Sequence, residues 1–175
     1  MVSTEFEEEY RVILSEFPNY EITNYGRVFN RSNGREMTQS RNQIGILSVG
    51  LVKDGKQYRR SVRTLVARTF VPGESERDDT PIQLNGLQDD LRASNILWRP
   101  RWFAWQYIHQ FQDPPPYVNK GPLLDVTNVV EYDTVYDACI ANGYLFRHFY
   151  IATLNGGRVY PTGNEFIFIK AESRR

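Results

Sequence analysis

The segment Tyr20–Asn30, with the sequence YEITNYGRVFN, places a short turn at Asn24–Gly26 between two runs rich in β-branched and aromatic residues. Such runs on either side of a turn predict two strands. Further along, Ile44–Val52 and Gln57–Val62 flank the tetrapeptide KDGK. Its Asp-Gly pair predicts a tight hairpin because these residues tolerate the positive φ that such turns require. Two strand pairs are therefore predicted in the first third of the chain.

Two helices are predicted around these strands. Glu5–Glu16 carries apolar residues at helical spacing, which predicts a short acidic amphipathic helix. Thr64–Phe70 places Leu65, Val66 and Phe70 on one side of a helix, and the Pro-Gly pair that follows provides a stop signal.

The last third of the chain shows a different pattern. Asp113–Pro122, DPPPYVNKGP, is rich in proline and is predicted to be an extended linker. Beyond a strand near Leu123–Val130, a capping pattern at Thr134 and Asp137 opens one helix, and Leu145–Leu154 forms a second after a glycine turn. Two short helices separated by a glycine turn are the outline of a helix-turn-helix. The predicted domains are 1–112, a linker at 113–122, and 123–175.

Charge is distributed unevenly along the 175 residues. The whole chain is neutral, with 21 basic and 21 acidic residues, yet the stretch from Gly26 to Phe70 holds ten Lys or Arg against only Glu36 and Asp54. A local positive excess of this kind predicts a surface that binds a polyanion. The alternative is a solvated hairpin that acidic residues elsewhere in the same molecule neutralise.

Several classes of protein are excluded or disfavoured by composition. No apolar run approaches the roughly 18 residues that a membrane helix requires, so no membrane partner is expected. The acidic start, MVSTEFEEEY, lacks the layout of a secretion signal, and an intracellular or virion-associated location is expected. The single cysteine, Cys139, excludes an internal disulfide and is interpreted as a core residue rather than a reactive thiol.

The order of these parts resembles the HNH homing endonucleases of bacteriophages that carry a nuclease-associated module at the N-terminus. The matching segments are YEITNYGRV from Tyr20, the basic hairpin LVKDGKQYRRSV from Leu51, the helix VRTLVARTF from Val62, NILW from Asn95, and EYDTV from Glu131. The resemblance implies an α+β fold. Its parts would be an N-terminal β-hairpin module, a degenerate ββα-metal (HNH-like) core, a Pro-rich linker and a small C-terminal α+β helix-turn-helix module.

The resemblance also implies where the chemistry of such nucleases would lie. The family hydrolyses a phosphodiester with one divalent metal and a histidine that activates water. Counting back from Asn95 places Gln83 at the base position, and Gln has no titratable proton acceptor near neutral pH. The positions expected to be degenerate are Ile82, Gln83, Asn85, Asn95 and Ala104. From these identities we expect no metal, no cofactor, no catalytic residue and no enzyme activity.

Nucleic-acid binding does not need those groups, and DNA is favoured over RNA as the partner. Basic residues around the two hairpins are candidates to contact phosphates, which fixes register without reading sequence. They are Arg27, Arg31, Arg41, Lys53, Lys56, Arg59, Arg60 and Arg63. In the second helix of the predicted helix-turn-helix, the candidates to face a groove are Arg147, His148, Tyr150 and Thr153.

An unusually aromatic segment keeps a second function open. Its large side chains exceed what one face of a short helix can bury, which is typical of a protein interface. They are Trp102, Phe103, Trp105, Tyr107 and Phe111. The alternatives are therefore an inactive DNA-binding relative of the nucleases, a structural or interaction subunit of a larger assembly, and an active nuclease with a rewired site. The Pro-Pro-Pro-Tyr run from Pro114 is interpreted as a stiff spacer, with a ligand for adaptor domains as the alternative.

Overall fold

A computed structural model of the protein describes residues 8–169. The chain divides into two compact units. The first unit runs to Gln83 and includes Leu87–Arg101, and the second consists of Leu84–Gly86 and the residues from Trp102 onward. This division does not test the predicted domain limits, which stay a prediction.

The first unit begins with a three-stranded antiparallel sheet. Its strands are β1 (Arg11–Ile13), β2 (Tyr20–Thr23) and β3 (Val28–Asn30), in the order β1-β2-β3. The strand–turn–strand prediction for YEITNYGRVFN is confirmed by the pairing of β2 with β3. The helix predicted over 5–16 is wrong over its described part, because β1 pairs with β2 as an extra strand. Residues 5–7 of that prediction lie outside the described residues.

The turn between β2 and β3 is fixed by hydrogen bonds from several directions. The Thr23 hydroxyl accepts hydrogen bonds from the backbone N–H groups of Tyr25 and Arg27. The buried Asn24 side chain accepts from the Tyr10 N–H, and the Asn24 carbonyl accepts from the Ala93 N–H at 2.8 Å. Gly26 has a φ of 84°, and a Cβ there would lie 2.8 Å from the Leu91 Cβ. The turn therefore requires glycine both for its backbone conformation and for the space that Leu91 occupies.

A second antiparallel sheet carries the predicted basic hairpin. It contains β4 (Gln39–Arg41), β5 (Leu47–Lys53) and β6 (Lys56–Ser61), and the Asp54-Gly55 turn joins β5 to β6 with φ values of 52° and 72°. Helix α1 (Val62–Phe70) follows directly, two residues earlier than predicted, because the Ser61 hydroxyl caps it by accepting from the Thr64 N–H.

The first unit ends with a two-stranded sheet, β7 (Thr80–Gln83) and β8 (Ile96–Arg99). Helix α1 contacts both strands as well as β5 and β6, so its apolar side closes the core. The core residues of this unit are Leu14, Phe17, Tyr20, Ile22, Val28, Val49, Leu51, Val62, Leu65, Val66, Ala67, Leu91, Ile96 and Trp98. In chain order, β7, β8 and the next helix form a ββα series.

The second unit contains that helix, α2 (Arg101–His109, with Arg101 in the first unit), followed by a four-stranded sheet and two further helices. The strands are β9 (Leu123–Asp125), β10 (Val130–Tyr132), β11 (Arg158–Val159) and β12 (Asn164–Phe168), in the order β10-β9-β12-β11. The helices are α3 (Val135–Asn142) and α4 (Phe146–Leu154).

Local signals in the sequence correctly located the two C-terminal helices. The Thr134 hydroxyl accepts from the Asp137 N–H at the start of α3, and Gly143 ends that helix with a φ of 66°. Cys139 lies in the core of this unit, and burial raises the pKa of its thiol, which agrees with a packing role. The α+β class predicted from the sequence is confirmed.

The proline-rich segment belongs to the second unit and packs into its core. Pro116–Asn119 form one 3-10 turn, Val118 belongs to the core, and the Tyr117 ring stacks on Tyr150 with centroids 4.3 Å apart. Every helix in the described part of the chain is too short or too polar to cross a membrane.

A buried carboxylate organises the sheet of the second unit. Asp125, at the end of β9, is fully buried and accepts hydrogen bonds from the backbone N–H groups of Thr127 and Asn128. It also accepts from the side-chain amides of Asn128 and Asn164, both at 2.9 Å. These bonds join the β9–β10 turn to strand β12.

We expect Asp125→Ala to lower the free energy of unfolding by about 3 kcal/mol, because it removes the acceptor of four hydrogen bonds and leaves the buried Asn164 amide without a partner. Urea denaturation measures this. The matched control, Asp133→Ala at an exposed position, is expected to change stability by less than about 0.5 kcal/mol. A loss below about 1 kcal/mol for Asp125→Ala would contradict the role assigned to the carboxylate.

Candidate nucleic-acid interface and nuclease-like loop

The alternation of side chains along β5 and β6 sorts the basic residues of the hairpin onto two faces. Gly50 lies opposite Arg59 on one face, and Val49 lies opposite Arg60 on the other. The Arg59 guanidinium extends across the sheet and donates to the Ser48 hydroxyl at 2.8 Å and to the Ser40 hydroxyl at 2.5 Å. One face of the sheet is therefore polar and open, with a positively charged group held at its centre.

The opposite face places Arg60 against the core edge. Its guanidinium pairs with Glu16 at 2.7 Å and lies over the rings of Phe17 and Tyr58. The hydrogen bond from Arg60 lowers the pKa of the Glu16 carboxyl. Arg60 therefore forms an ion pair with a carboxylate, whereas Arg59 donates to two serine hydroxyls.

Other predicted phosphate contacts are already engaged within the protein. Arg27 pairs with Glu36 at 2.8 Å, and this contact lowers the pKa of the Glu36 carboxyl. Arg41 pairs with Asp89, and Arg31 pairs with Glu21 at 3.5 Å and also donates to the Pro18 carbonyl. Such exposed ion pairs contribute little to stability, so a phosphate can replace the carboxylate at low cost.

Three hairpin residues form no ion pair with a carboxylate of residues 8–169. They are Lys53, Lys56 and Arg59. Each of them is exposed. Strand alternation places Arg59 on the open polar face and Lys53 and Lys56 on the Arg60 face, at the tip of the hairpin. We call these three residues the hairpin triad.

The loop between β7 and β8 is held by two buried amides. Gln83 donates to the carbonyls of Leu87 and Asp90 at 2.9 and 3.1 Å, and Asn95 donates to the same Asp90 carbonyl at 2.9 Å. Gln83 and Asn95 are 5% and 8% exposed, so both side chains serve the interior of the loop. The amide oxygen of Gln83 accepts a hydrogen bond from Arg63 at 3.3 Å.

The five positions counted from the family pattern do not all fall in one unit. Ile82, Gln83 and Asn95 belong to the first, whereas Asn85 and Ala104 belong to the second. Ile82 is fully buried in β7, and Ala104 is buried in α2. Among residues 8–169, no three His, Cys, Asp or Glu side chains are grouped so that they could hold a metal ion.

In the second unit, α4 presents two of its predicted contacts to solvent. Arg147 and His148 are exposed in its first turn, where recognition helices commonly meet base edges. Tyr150 is half-buried, stacks on Tyr117, and its hydroxyl accepts from Lys120 at 2.7 Å. Thr153 is buried and donates to the Phe149 carbonyl, so the expectation that Thr153 faces a groove is wrong.

The aromatic segment is split by the periodicity of α2. Phe103 and Tyr107 are fully buried, whereas Trp102 and Trp105 are 53% and 64% exposed. Trp102 stacks on Tyr160. The protein partner predicted for this segment stays a prediction.

Comparison with known proteins gives two matches. Residues 5–52 match the NUMOD4 motif. The structure is similar to one described as "DNA binding and cleavage by the HNH homing endonuclease I-HmuI", with a TM-score of 0.52 and 20% sequence identity over 93% of this chain and 99% of that chain. No curated protein matches the chain. The chain therefore has a fold similar to that of an HNH homing endonuclease, as its sequence pattern predicted.

These matches contradict the prediction that the chain is not an enzyme. Both concern nuclease-type architecture, and neither indicates that catalytic groups have been lost. The prediction relied on counting positions along the sequence from Asn95. The structure shows why this count is a poor guide: Gln83 clamps the β7–β8 loop, so its identity does not reveal which side chain would activate water.

We expect Gln83→Ala to lower the free energy of unfolding by about 1–3 kcal/mol, since it removes the two hydrogen bonds that the buried Gln83 amide donates to loop carbonyls. The substitution is expected to accelerate amide hydrogen exchange in the loop at Leu87–Asp90 and to leave exchange in α1 almost unchanged. Gln43→Ala, at an exposed position, is the control and is expected to leave both measurements unchanged. Unchanged exchange in the loop of the Gln83 variant would show that the amide is not its clamp.

Proposed function

We propose that the protein binds double-stranded DNA, with the hairpin triad as its main phosphate contact and the start of α4 as a second contact. The proposal is supported chiefly by the triad itself, three exposed cations that form no ion pair with a carboxylate of residues 8–169. A polyanion supplies the negative charge that the protein does not place there.

The geometry of the sheet suits a nucleic-acid backbone. Arg59 is held in an extended position by Ser40 and Ser48, so little side-chain entropy is lost when a phosphate binds. A guanidinium binds phosphate oxygens through two parallel hydrogen bonds, which fixes position as well as adding energy. The Asp54-Gly55 turn holds Lys53 and Lys56 directly opposite each other at the tip of the hairpin, on the face opposite Arg59, so the triad offers phosphate contacts on both sides of the hairpin.

The second unit adds a different kind of contact. Arg147 can donate to guanine O6 and N7, and the 46% exposed Ile151 lies one helical turn along the same side of α4. An apolar side chain there is suited to a thymine methyl group. The similar structure is described as binding and cleaving DNA, which favours DNA over RNA as the partner of this fold.

DNA cleavage is separate from DNA binding, and no residue is assigned here as a metal ligand or general base. Nicking of supercoiled plasmid in the presence of Mg²⁺ or Mn²⁺ measures cleavage directly. The proposal of DNA binding does not depend on that result, because its contacts are to the backbone.

A second candidate function is supported by Trp102 and Trp105, whose exposed rings fit an interaction with another protein. Salt separates the two candidates. Binding to phosphates weakens steeply as salt rises, whereas burial of aromatic surface does not.

We expect the triple variant Lys53→Gln, Lys56→Gln, Arg59→Gln to bind a DNA duplex more weakly than the unmodified protein at low salt, by at least about tenfold. The slope of log K against log salt concentration should become less steep by about 2.7, because three phosphate contacts are lost. Fluorescence anisotropy of a labelled duplex over a salt series gives both values.

The matched control is Arg68→Gln, Arg101→Gln, Arg158→Gln, which removes the same charge from exposed residues that have carboxylate partners. We expect this control to retain most of the affinity and the slope. Equal losses in the two triple variants would mean that net charge, and not the hairpin triad, determines binding.

A further inference from the structure

Arg63 stands apart from the other basic residues of the first unit because its guanidinium is largely buried. It is the second residue of α1 and lies in a small recess lined by Ile46, Leu47, Gln83, Gln88 and Leu91. Its Nη1 atom donates to the Gln83 amide oxygen at 3.3 Å. Its Nε atom is buried without a hydrogen-bond partner in the described part of the chain.

No carboxylate of residues 8–169 pairs with this group, unlike its neighbours on β6 and α1. Arg60 pairs with Glu16, and Arg68 pairs with Glu74 at 3.1 Å. Burial lowers the pKa of the Arg63 guanidinium, which reflects the loss of hydration around the charge. A desolvated charge without a counter-charge is unfavourable to the folded state.

The position in the helix adds to this cost. The first turn of α1 contains no acidic residue, so Arg63 lies near the positive end of the helix dipole with nothing to offset it. Burial, the lack of a paired carboxylate and the helix dipole each make the charged Arg63 guanidinium less favourable. One anion beside the guanidinium would offset these three costs.

We propose that Arg63 is a phosphate-binding residue whose counter-charge is supplied by the DNA backbone. The inference rests on the proposed function and adds a specific contact to it. The recess adjoins Arg41 of β4, because Leu47, which lines the recess, pairs with Arg41. Both lie on the face of the sheet opposite Arg59, so the edge of the sheet near Arg41 is where DNA backbone would reach the recess.

Binding requires Arg63 to exchange one partner for another. Its Nε is covered, so the side chain must rotate outward to present its two-donor edge to a phosphate. The contact it leaves is a long hydrogen bond to a neutral amide, which opposes the rotation only weakly. Gln83 keeps its bonds to the Leu87 and Asp90 carbonyls, so the loop retains its clamp.

The test compares two variants that each remove one positive charge from the same helix. Arg63→Gln is measured against Arg68→Gln, whose residue is exposed and paired with Glu74. For each, DNA duplex binding is measured over a salt series by anisotropy, and stability is measured by thermal unfolding without DNA. Arg63→Lys is added because it keeps the charge but loses the planar two-donor edge.

For Arg63→Gln, we expect DNA binding to fall by about tenfold at low salt, with a salt slope less steep by about one. Its unfolding midpoint should be unchanged or higher, since an uncompensated buried charge has been removed. Arg68→Gln should bind DNA within about twofold of the unmodified protein. Arg63→Lys should keep the salt slope yet bind several-fold more weakly, on the order of a lost bidentate contact.

Three results would overturn the inference. Arg63→Gln with a lowered midpoint and an unchanged salt slope would show that Arg63 is a structural residue that fixes Gln83. Arg63→Lys equal to the unmodified protein in both affinity and stability would show that the two-donor edge is not used. Failure of the unmodified protein to bind DNA would overturn the proposed function and this contact together, whereas the first two results leave the proposed function intact.

Discussion

The turn at Thr23–Gly26 is the constraint on which the first unit depends. The Asn24 side chain accepts a hydrogen bond from the Tyr10 N–H, and its backbone carbonyl accepts one from the Ala93 N–H. One buried residue therefore joins the start of β1 to the segment before β8. Gly26 leaves the space that Leu91 fills. A local turn motif thereby fixes where the β7–β8 loop lies, and the clamp made by Gln83 and Asn95 acts on a loop already placed by that turn.

The surface built on this frame is sorted by strand periodicity. Because side chains alternate along β6, Arg59 and Arg60 reach opposite faces of one hairpin, and only Arg59 lies on the open polar face. Internal carboxylates then engage Arg27, Arg41 and Arg60. A basic stretch of sequence is thus divided into residues that already pair with a carboxylate and residues that do not. This division explains how a chain with no net charge can present a positive surface.

Much of the fold could be predicted from sequence, and the errors have physical causes. The Asn-Tyr-Gly and Asp-Gly turns, the Thr134 cap and the Gly143 stop are local signals, and the structure confirms the elements that they delimit. The helix expected over 5–16 failed because β2 offers an edge to which Arg11–Ile13 pairs, and pairing between distant segments overrides local helical spacing. The assignment of the chain as a non-enzyme failed for a related reason, since positions counted along a loop do not show which side chains share a site.

The sequence alone determined the turns, the helix caps, the order of the parts and the local excess of positive charge, because each depends on residues close together in the chain. Only the tertiary structure decided which cations have a carboxylate partner. It also showed that Gln83 serves the loop and that Arg63 lies in a recess where no carboxylate of residues 8–169 pairs with it. Burial and ion pairing are set by residues far apart in sequence, so no local pattern could have revealed them.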